Sequence, residues 1–331
     1  MNTIPSTFSE KFPPYTVLGE GIRANTSGVA AVLLNRAGRI GRRTVFEELS
    51  KYGFETIVSV EGAEEHYGLE ELAGRFENVV FILLQKPAST GCKINIAAHE
   101  VKSPLFFVVW DDMRLSGINA ERISSRLLVP ADGNACGIAG YKRLCTVPLV
   151  HYKADGRPIP TMNVPHAFKK TFESSFTTPD ADDFPTLYPY DAAGIYDRAR
   201  FIALGGFDPA MDNPYWQYLD FGLRAWLWGE EIRCDRPVRL RYEGGHPAEQ
   251  AAADDSYRRF FLKNLAAVSV PKDGGAHLPL RRFPAFAVKS TLTPAAAFRL
   301  FLEIRRWVRE NSGRFRFTVR DVLNVWREFL G

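Results

Sequence analysis

The chain is poor in the residue types that several protein classes require. It has 4 cysteines in 331 residues, with no C-x-x-C pair and no spacing that resembles a zinc site. No stretch is long and apolar enough to predict a membrane-spanning helix. The N-terminus lacks a basic start followed by an apolar run, so no secretion signal is predicted. We therefore expect a cytoplasmic protein whose thiols are reduced and structural.

Three common catalytic motifs are also missing. Residues 19–28 contain no Gly-Lys-Ser/Thr, which excludes a phosphate-binding P-loop there. No G-x-G-x-x-G follows the first predicted strand, which argues against a Rossmann dehydrogenase. No G-x-S-x-G elbow supports a hydrolase.

Positive charge is concentrated at the C-terminus. The net charge is +4, but residues 281–331 hold eleven lysines and arginines against four acidic residues, a net +7. The rest of the chain therefore sums to −3, and no nucleic-acid partner is expected. Two amphipathic helices are predicted in this tail, after Thr293 and Thr318. Their apolar faces leave two alternatives: peripheral contact with an anionic membrane, or packing on the rest of the chain or a second subunit.

Apolar runs alternate with helix-patterned segments through the first third of the chain. The predicted strands are 28–34, 54–60, 79–84 and 106–110, and the predicted helices are 44–52, 68–76 and 91–101. Such alternation predicts βαβ units, and hence an α/β fold with a mainly parallel, doubly wound sheet. We divide the chain into an N-terminal arm (1–25), a main domain (26–246) and a helical C-terminal extension (247–331).

The strongest site signal is an apolar strand, 106–110, that ends at Asp111 and Asp112. Ligands of open α/β sheets bind outside the carboxyl ends of the strands, so a site is expected here. Carboxylate oxygens suit Mg²⁺ or Mn²⁺, which share their remaining positions between water and phosphate. The pattern predicts a metal-assisted phosphate-ester site. Alternatively, the two aspartates only cap a turn.

The order of the motifs resembles the GT-A glycosyltransferases, especially the inverting family 2 type. The first predicted strand ends at Leu34, Asn35 and Arg36, similar to that family's opening nucleotide-contact strand. The second ends at Glu61, where relatives carry an acidic residue that contacts the base or ribose. Residues 91–98 resemble the helix under the donor, with Asn95 at its recurrent asparagine. The resemblance implies that these residues bind a nucleotide-sugar.

The carboxylate pair departs from the family's Asp-x-Asp, because Trp110 stands at the first position. The resemblance implies that Asp112 binds the Mn²⁺ or Mg²⁺ that bridges the donor diphosphate. Asp111 would hydrogen-bond the ribose or aid coordination, and His246 would complete the metal shell. Lys93 provides a further cation for the phosphate oxygens.

A later motif, Gly-Gly-Phe-Asp at 205–208, closely resembles a motif of these enzymes. Glycine permits positive φ and close approach of the backbone to a ligand, which a side chain would block. The resemblance implies that Gly205 and Gly206 lie against the donor sugar. Asp208 is expected to cap or orient this loop.

The expected general base is harder to assign. In relatives an acidic pair supplies it, but alignment on Arg224 puts Gln217 and Tyr218 at that place. Asp220 is the nearest acid and is the predicted catalytic base for an acceptor hydroxyl. Alternatively, Asp220 pairs with Arg224 at i, i+4. The base is then absent, or is one of two other acids, Asp191 or Asp212.

The resemblance implies metal-dependent transfer of a sugar from a nucleoside diphosphate, UDP favoured over GDP, to a hydroxyl of a glycan or lipid-linked acceptor. Such a reaction would serve glycan or cell-envelope polysaccharide synthesis, with inversion as a family-level expectation. One alternative is a catalytically degenerate GT-A protein that binds nucleotides or glycans, favoured by the loss of the acidic pair. The other is a sugar nucleotidyltransferase, although no Gly-rich loop bearing Lys or Arg follows the first strand.

Overall fold

The computed structural model describes residues 12–36, 42–63, 68–128, 140–168, 172–244, 249, 251–270 and 275–330. The strands are β1 (Tyr15–Leu18), β2 (Val29–Leu34), β3 (Ile57–Glu61), β4 (Val79–Leu84), β5 (Leu105–Trp110), β6 (Met113–Ser116), β7 (Lys142–His151), β8 (Met162–Phe168), β9 (Phe172–Thr177), β10 (Gly194–Asp197), β11 (Glu230–Tyr242), β12 (Val268–Val270) and β13 (Gly275–His277). The α-helices are α1 (Arg42–Lys51), α2 (Leu69–Arg75), α3 (Thr90–Glu100), α4 (Ala120–Leu127), α5 (Arg198–Leu204), α6 (Pro214–Trp228), α7 (Asp255–Phe260), α8 (Phe283–Lys289), α9 (Pro294–Glu310) and α10 (Val319–Leu330). In this part of the chain no helix has the length and apolarity needed to span a membrane.

Within the described residues, nine strands form the main sheet, in the order β1-β4-β3-β2-β5-β10-β7-β11-β6. Six of them, β2, β3, β4, β5, β7 and β11, run in one direction, and β1, β10 and β6 run in the other. Two-stranded sheets, β8-β9 and β12-β13, lie outside it. This arrangement confirms the predicted α/β fold with a mainly parallel sheet and a helical C-terminal extension.

The central strands β2 and β5 are buried along their whole length. Strands of a parallel sheet are covered on both faces, so they consist of continuous apolar residues rather than an alternating pattern. That is why the sequence identified both strands. Their register pairs Leu34 with Trp110, so they end together.

The chain reverses its direction of winding between these two strands. From β2 it proceeds through β3 to β4 on one side, and it then crosses back to β5 on the other side of β2. With right-handed crossovers, α1 and α2 lie on one face of the sheet and α3 lies on the opposite face. The carboxyl ends of β2 and β5 therefore form a topological switch point, where open α/β sheets bind ligands.

Two long strands of the sheet, β7 and β11, were not predicted from the sequence. In β7, Pro148 interrupts the apolar pattern, and the pairing with β11 shifts register directly after Pro148 and Asp235. Proline is tolerated within a sheet at such bulges. In β11, buried charged side chains are neutralised locally, as in the pair Arg233–Glu231 at 2.9 Å. Both features hid these strands from a search for hydrophobic periodicity.

The C-terminal extension packs on the main domain. Helix α6 is its main neighbour. The ring centroids of Trp226 and of Trp326 on α10 lie 4.9 Å apart, and Trp228 stacks on Trp307 of α9. The start of the chain also packs in part, since β1 pairs antiparallel with β4 at the edge of the sheet. The predicted boundaries of the arm and the extension remain predictions.

Candidate functional site

Polar side chains from four parts of the chain meet at the switch point. Asn35 and Arg36 follow β2, and Asp111 and Asp112 follow β5. Strand β11 runs in the same direction and ends at the same edge, where the amide of residue 243 donates to the Asp112 carbonyl at 2.8 Å. Strand β10 runs the opposite way, so the segment that precedes it, with Asp191, also lies here. The structure therefore brings Asn35, Arg36 and the aspartate pair together.

Arg36 joins the carboxylates of this site. Its guanidinium donates to both oxygens of Asp112, at 2.9 and 3.1 Å, and to Asp191 Oδ2 at 2.7 Å. The guanidinium also lies over the ring of Trp110, 4.1 Å from its centroid. Its backbone N–H donates to Asp111 Oδ1 at 2.9 Å. A positive charge thus occupies the position between Asp112 and Asp191.

Asp191 is held in an unusual backbone conformation, with φ of 53°. Its Oδ2 accepts from Arg36 and from the hydroxyl of Tyr242 at 2.8 Å, and its carbonyl accepts from Trp110 Nε1. Oδ1 accepts no hydrogen bond from the described residues. Burial raises the pKa of Asp191 to about 6, although Arg36 and Tyr242 act in the opposite direction. This carboxylate therefore exchanges its proton near neutral pH.

The carboxylates at this edge fit a divalent cation in their chemistry. Asp112 and Asp191 already share one cationic group, the Arg36 guanidinium, so the position between them favours positive charge. Among the described residues no three Asp, Glu, His or Cys side chains converge on one point. Mg²⁺ and Mn²⁺ commonly take one or two carboxylates and complete their shells with water and substrate phosphate. His246, the other predicted ligand, lies outside the described residues.

Glu61 supports the site from behind. It is fully buried, and its Oε2 accepts from Asn35 Nδ2 at 2.9 Å and from Arg42 at 2.6 Å. Ser59 donates to its other oxygen at 2.6 Å. These contacts position Asn35, and they leave Glu61 without the exposed oxygen that the predicted contact with a base or ribose needs.

The predicted donor-helix asparagine and the double glycine meet in a second cluster. Asn95 of α3 donates to the carbonyl of Phe207 at 2.8 Å and accepts from its N–H at 2.9 Å. Gly205, with φ of 88°, ends α5, and Gly206 has φ of 65°. A Cβ on Gly206 would overlap Asn95 Oδ1. In this structure the glycines thus allow the loop to approach Asn95.

Asp220 does not lie on a surface that an acceptor could reach. It is fully buried on α6, where Lys263 donates to Oδ2 at 2.8 Å and Asn264 donates to Oδ1 at 2.8 Å. Arg224 pairs with it at 3.3 Å, as the i, i+4 alternative expected. Burial opposes its ionisation, but the charges of Lys263 and Arg224 outweigh that effect and lower its pKa. We therefore correct the predicted catalytic base: Asp220 is an ion-pair residue of the core.

The contacts of Gln217 explain part of the departure from the expected acidic pair at residues 217 and 218. Its Oε1 accepts from Gly91 N at 2.8 Å at the start of α3, and its Nε2 donates to Ser89 Oγ at 2.9 Å. Nε2 also donates to the carbonyls of Asp208 and Met211. An amide can donate and accept at once, whereas an ionised carboxylate only accepts. Gln217 therefore joins α3 to the loop after Gly206, which an acidic residue could not do in the same way.

The sequence offered no signal for Glu249. The hydroxyl of Tyr188 donates to its Oε2 at 2.6 Å, while its buried Oε1 has no partner among the described residues. Burial raises the pKa of Glu249 to about 7, and the nearby charge of Asp191 adds to this. Buried polar atoms are normally hydrogen-bonded, so an unpaired carboxylate oxygen near the site is a candidate contact for a ligand.

Lys93, the other predicted phosphate contact, is half-buried on α3.

Neither a family model nor a curated protein matches the chain. Among solved structures, GalNAc-T7 with UDP, GalNAc and Mn²⁺ aligns with a TM-score of 0.48 at 12% identity, over 71% of this chain and 50% of that chain. S. aureus TarS aligns with a TM-score of 0.46 at 12% identity, over 88% and 44%. TarS 1-349 in complex with UDP-GlcNAc gives 0.42 at 13% identity, over 86% and 73%. The chain spans about half the length of the first two. At such identities and TM-scores the alignments support no conclusion about the reaction.

Proposed function

We propose that this protein is a GT-A type glycosyltransferase that moves a sugar from a nucleoside diphosphate to a hydroxyl acceptor. The observation that carries the proposal is the convergence of Asn35, Arg36, Asp111 and Asp112 at the switch point of the sheet. These are the residues whose order along the chain resembles the donor site of that family.

The donor diphosphate would lie beside Arg36 and Asp112. Arg36 forms ion pairs with Asp112 and Asp191. A diphosphate can replace these two carboxylates as its partner, because a guanidinium binds phosphate oxygens with two parallel hydrogen bonds. Asn35, fixed by Glu61, would contact the nucleoside. Lys93 and the glycines Gly205 and Gly206 remain predicted donor contacts.

A divalent cation, Mn²⁺ or Mg²⁺, would be held by Asp112, with His246 as the second ligand predicted from the sequence. When bound, it supplies Lewis-acid stabilisation of the leaving diphosphate. Mn²⁺ is the better match if the imidazole participates. Arg36 would add its own charge to the same phosphates.

For the general base we propose Asp191 in place of Asp220. Its Oδ1 is free of the described residues, and its pKa of about 6 suits proton abstraction at neutral pH. Arg36 and Tyr242 hold the other oxygen and so orient the carboxylate. The acceptor hydroxyl would donate its proton to Oδ1 while it attacks the anomeric carbon.

The acceptor remains a glycan or lipid-linked hydroxyl, and UDP remains the favoured nucleotide in an inverting reaction in the cytoplasm. The charge of Asp191 contributes to the raised pKa of Glu249, which accepts a hydrogen bond from the fully buried Tyr188.

The proposal is tested by incubating the protein with UDP-, GDP- and CDP-sugars and Mn²⁺, and by identifying the nucleotide product. Slow hydrolysis of one donor to its nucleoside diphosphate, absent in Asp112→Asn, is expected of a transferase. Release of pyrophosphate from a sugar phosphate and a nucleoside triphosphate would instead identify a nucleotidyltransferase. Donor binding with no turnover would identify a degenerate binding protein.

A further inference from the structure

A cavity of about 590 Å³ lies in the C-terminal part of the molecule, and none of the donor-site residues line it. One wall is the π-helical turn Phe261–Ala266, and the other is formed by residues 281–291, which include α8. Its interior is apolar, with Phe261, Leu265 and Phe286 among its walls. We call it the C-terminal cavity.

Cations surround the C-terminal cavity. Arg258, Arg281, Arg282 and Lys289 line it, and no acidic side chain of the described residues does. Arg258 is paired with Asp255. For the other three, the described residues provide no ion pair, and all three are exposed. An apolar interior with a rim of unpaired cations is complementary to a molecule that combines hydrocarbon with negative charge.

Large apolar side chains are exposed beside the same rim. Val288 on α8 is 87% exposed, Leu280 is 53% exposed, and Phe298 on α9 is 46% exposed. The rings of Phe283 and Phe298 are in contact, which makes the α8 and α9 parts of this surface continuous. Continuous exposed apolar patches mark interaction sites, whereas single exposed apolar residues do not. A free inorganic anion has no apolar part that could contact this surface.

We propose that the C-terminal cavity and its rim bind the anionic lipids of a bilayer surface. The lipid phosphate would meet Arg281, Arg282 and Lys289, and the hydrocarbon would lie between Phe261 and Phe286. The net charge of +7 on residues 281–331 attracts the protein to such a surface. The cavity wall also reaches the core of the enzyme, because Lys263 of the same π-helical turn binds Asp208 and Asp220.

The test is co-sedimentation of the full chain with vesicles of phosphatidylcholine alone or mixed with phosphatidylglycerol. We expect pelleting with the mixed vesicles only, and weaker pelleting as salt rises. Arg281→Glu/Arg282→Glu should bind at least about tenfold more weakly. The matched control, Arg309→Glu/Arg320→Glu, reverses the same number of exposed charges elsewhere in the extension and should weaken binding much less than Arg281→Glu/Arg282→Glu does.

Val288→Asp provides a second variant, since a side chain that is 87% exposed can be replaced without loss of the fold. It should also weaken binding to the mixed vesicles. Equal binding by both charge-reversal pairs would overturn the proposal, as would equal binding to both kinds of vesicle. A lipid-free dimer that Val288→Asp dissociates would assign this surface to a second copy and would also overturn it. None of these results depends on sugar transfer.

Discussion

At the scale of single residues, the carboxylates of Asp191 and Asp220 have opposite environments. Asp220 has partners on both oxygens and is fully buried, whereas Asp191 keeps Oδ1 free of the described residues beside Arg36. The sequence favoured Asp220 because it is close to the expected position along the helix. The partners that distinguish the two carboxylates are Lys263 for Asp220 and Tyr242 for Asp191. Both partners lie far away in the sequence.

Replacement of Asp191 by Asn should reduce kcat by about 10²-fold to 10⁴-fold, the usual contribution of a general base. Asparagine tolerates the left-handed backbone conformation at this position, so the fold should be kept. In the wild type, kcat/KM should rise with pH through about 6, as Asp191 loses its proton. Tyr242→Phe removes a hydrogen bond that lowers this pKa, so the rise should move to higher pH. An unmoved pH profile in Tyr242→Phe would contradict the assignment.

The stability of Asp191→Asn provides the control. Because the folded-state pKa of about 6 exceeds the ordinary value of 3.8, the protonated carboxyl stabilises the wild type below pH 4. That contribution is lost as the pH rises through 6. The variant should therefore be at least as stable as the wild type at pH 7 in thermal unfolding. Lower activity in a less stable variant would mean that the residue has a structural role.

Lys263→Met tests the structural role of Asp220. Loss of Lys263 leaves the buried carboxylate of Asp220 with one cation, Arg224, and removes the cation paired with the buried Asp208. It should cost about 3 to 5 kcal/mol in the free energy of unfolding. Urea denaturation measures this cost. Lys102→Met changes the same residue type at an exposed position and should have little effect. A Lys263→Met protein with wild-type stability would argue against the buried network.

At the scale of elements, the apolar strands and the order of the motifs could be predicted, but two strands and the internal contacts could not. Strands β2 and β5 are continuous apolar runs, so their ends located the aspartate pair correctly. Strands β7 and β11 were not predicted, because Pro148 and paired charges interrupt the hydrophobic pattern. The sequence also implied that Asn95 and Gly206 belong to one site, but not that Asn95 hydrogen-bonds the backbone of the next residue, Phe207.

Gly206→Ala should destabilise the loop that connects α5 to α6. The left-handed backbone costs a residue with a side chain about 1–2 kcal/mol, and the overlap with Asn95 adds about 1–3 kcal/mol. Chemical denaturation should show the combined loss. Gly74→Ala is the matched control, because this helical glycine has open space around its Cβ position and alanine favours the helix. Equal stability of the two variants would contradict the account of the loop.

At the scale of the whole molecule, the C-terminal extension packs on the rest of the chain, and it also has an exposed surface that we propose contacts anionic membranes. Trp307 and Trp326 are buried against α6, so these faces belong to the core of the protein. The surface around α8 is different, since Val288 and three of the four cations that line the C-terminal cavity stay exposed. Helical periodicity predicts that a helix has an apolar face, but it does not tell which faces find a partner within the fold.

The most direct test of the account is calorimetric titration of UDP, GDP and CDP into the wild type, Asp112→Asn and Asp155→Asn, each with Mn²⁺ and with EDTA. Asp155 is an aspartate on the loop between β7 and β8 and serves as the control. We predict that one diphosphate binds the wild type and Asp155→Asn in the presence of Mn²⁺, and that binding is lost in Asp112→Asn and in EDTA. Failure of every diphosphate to bind the wild type would contradict a nucleotide-sugar site at the switch point.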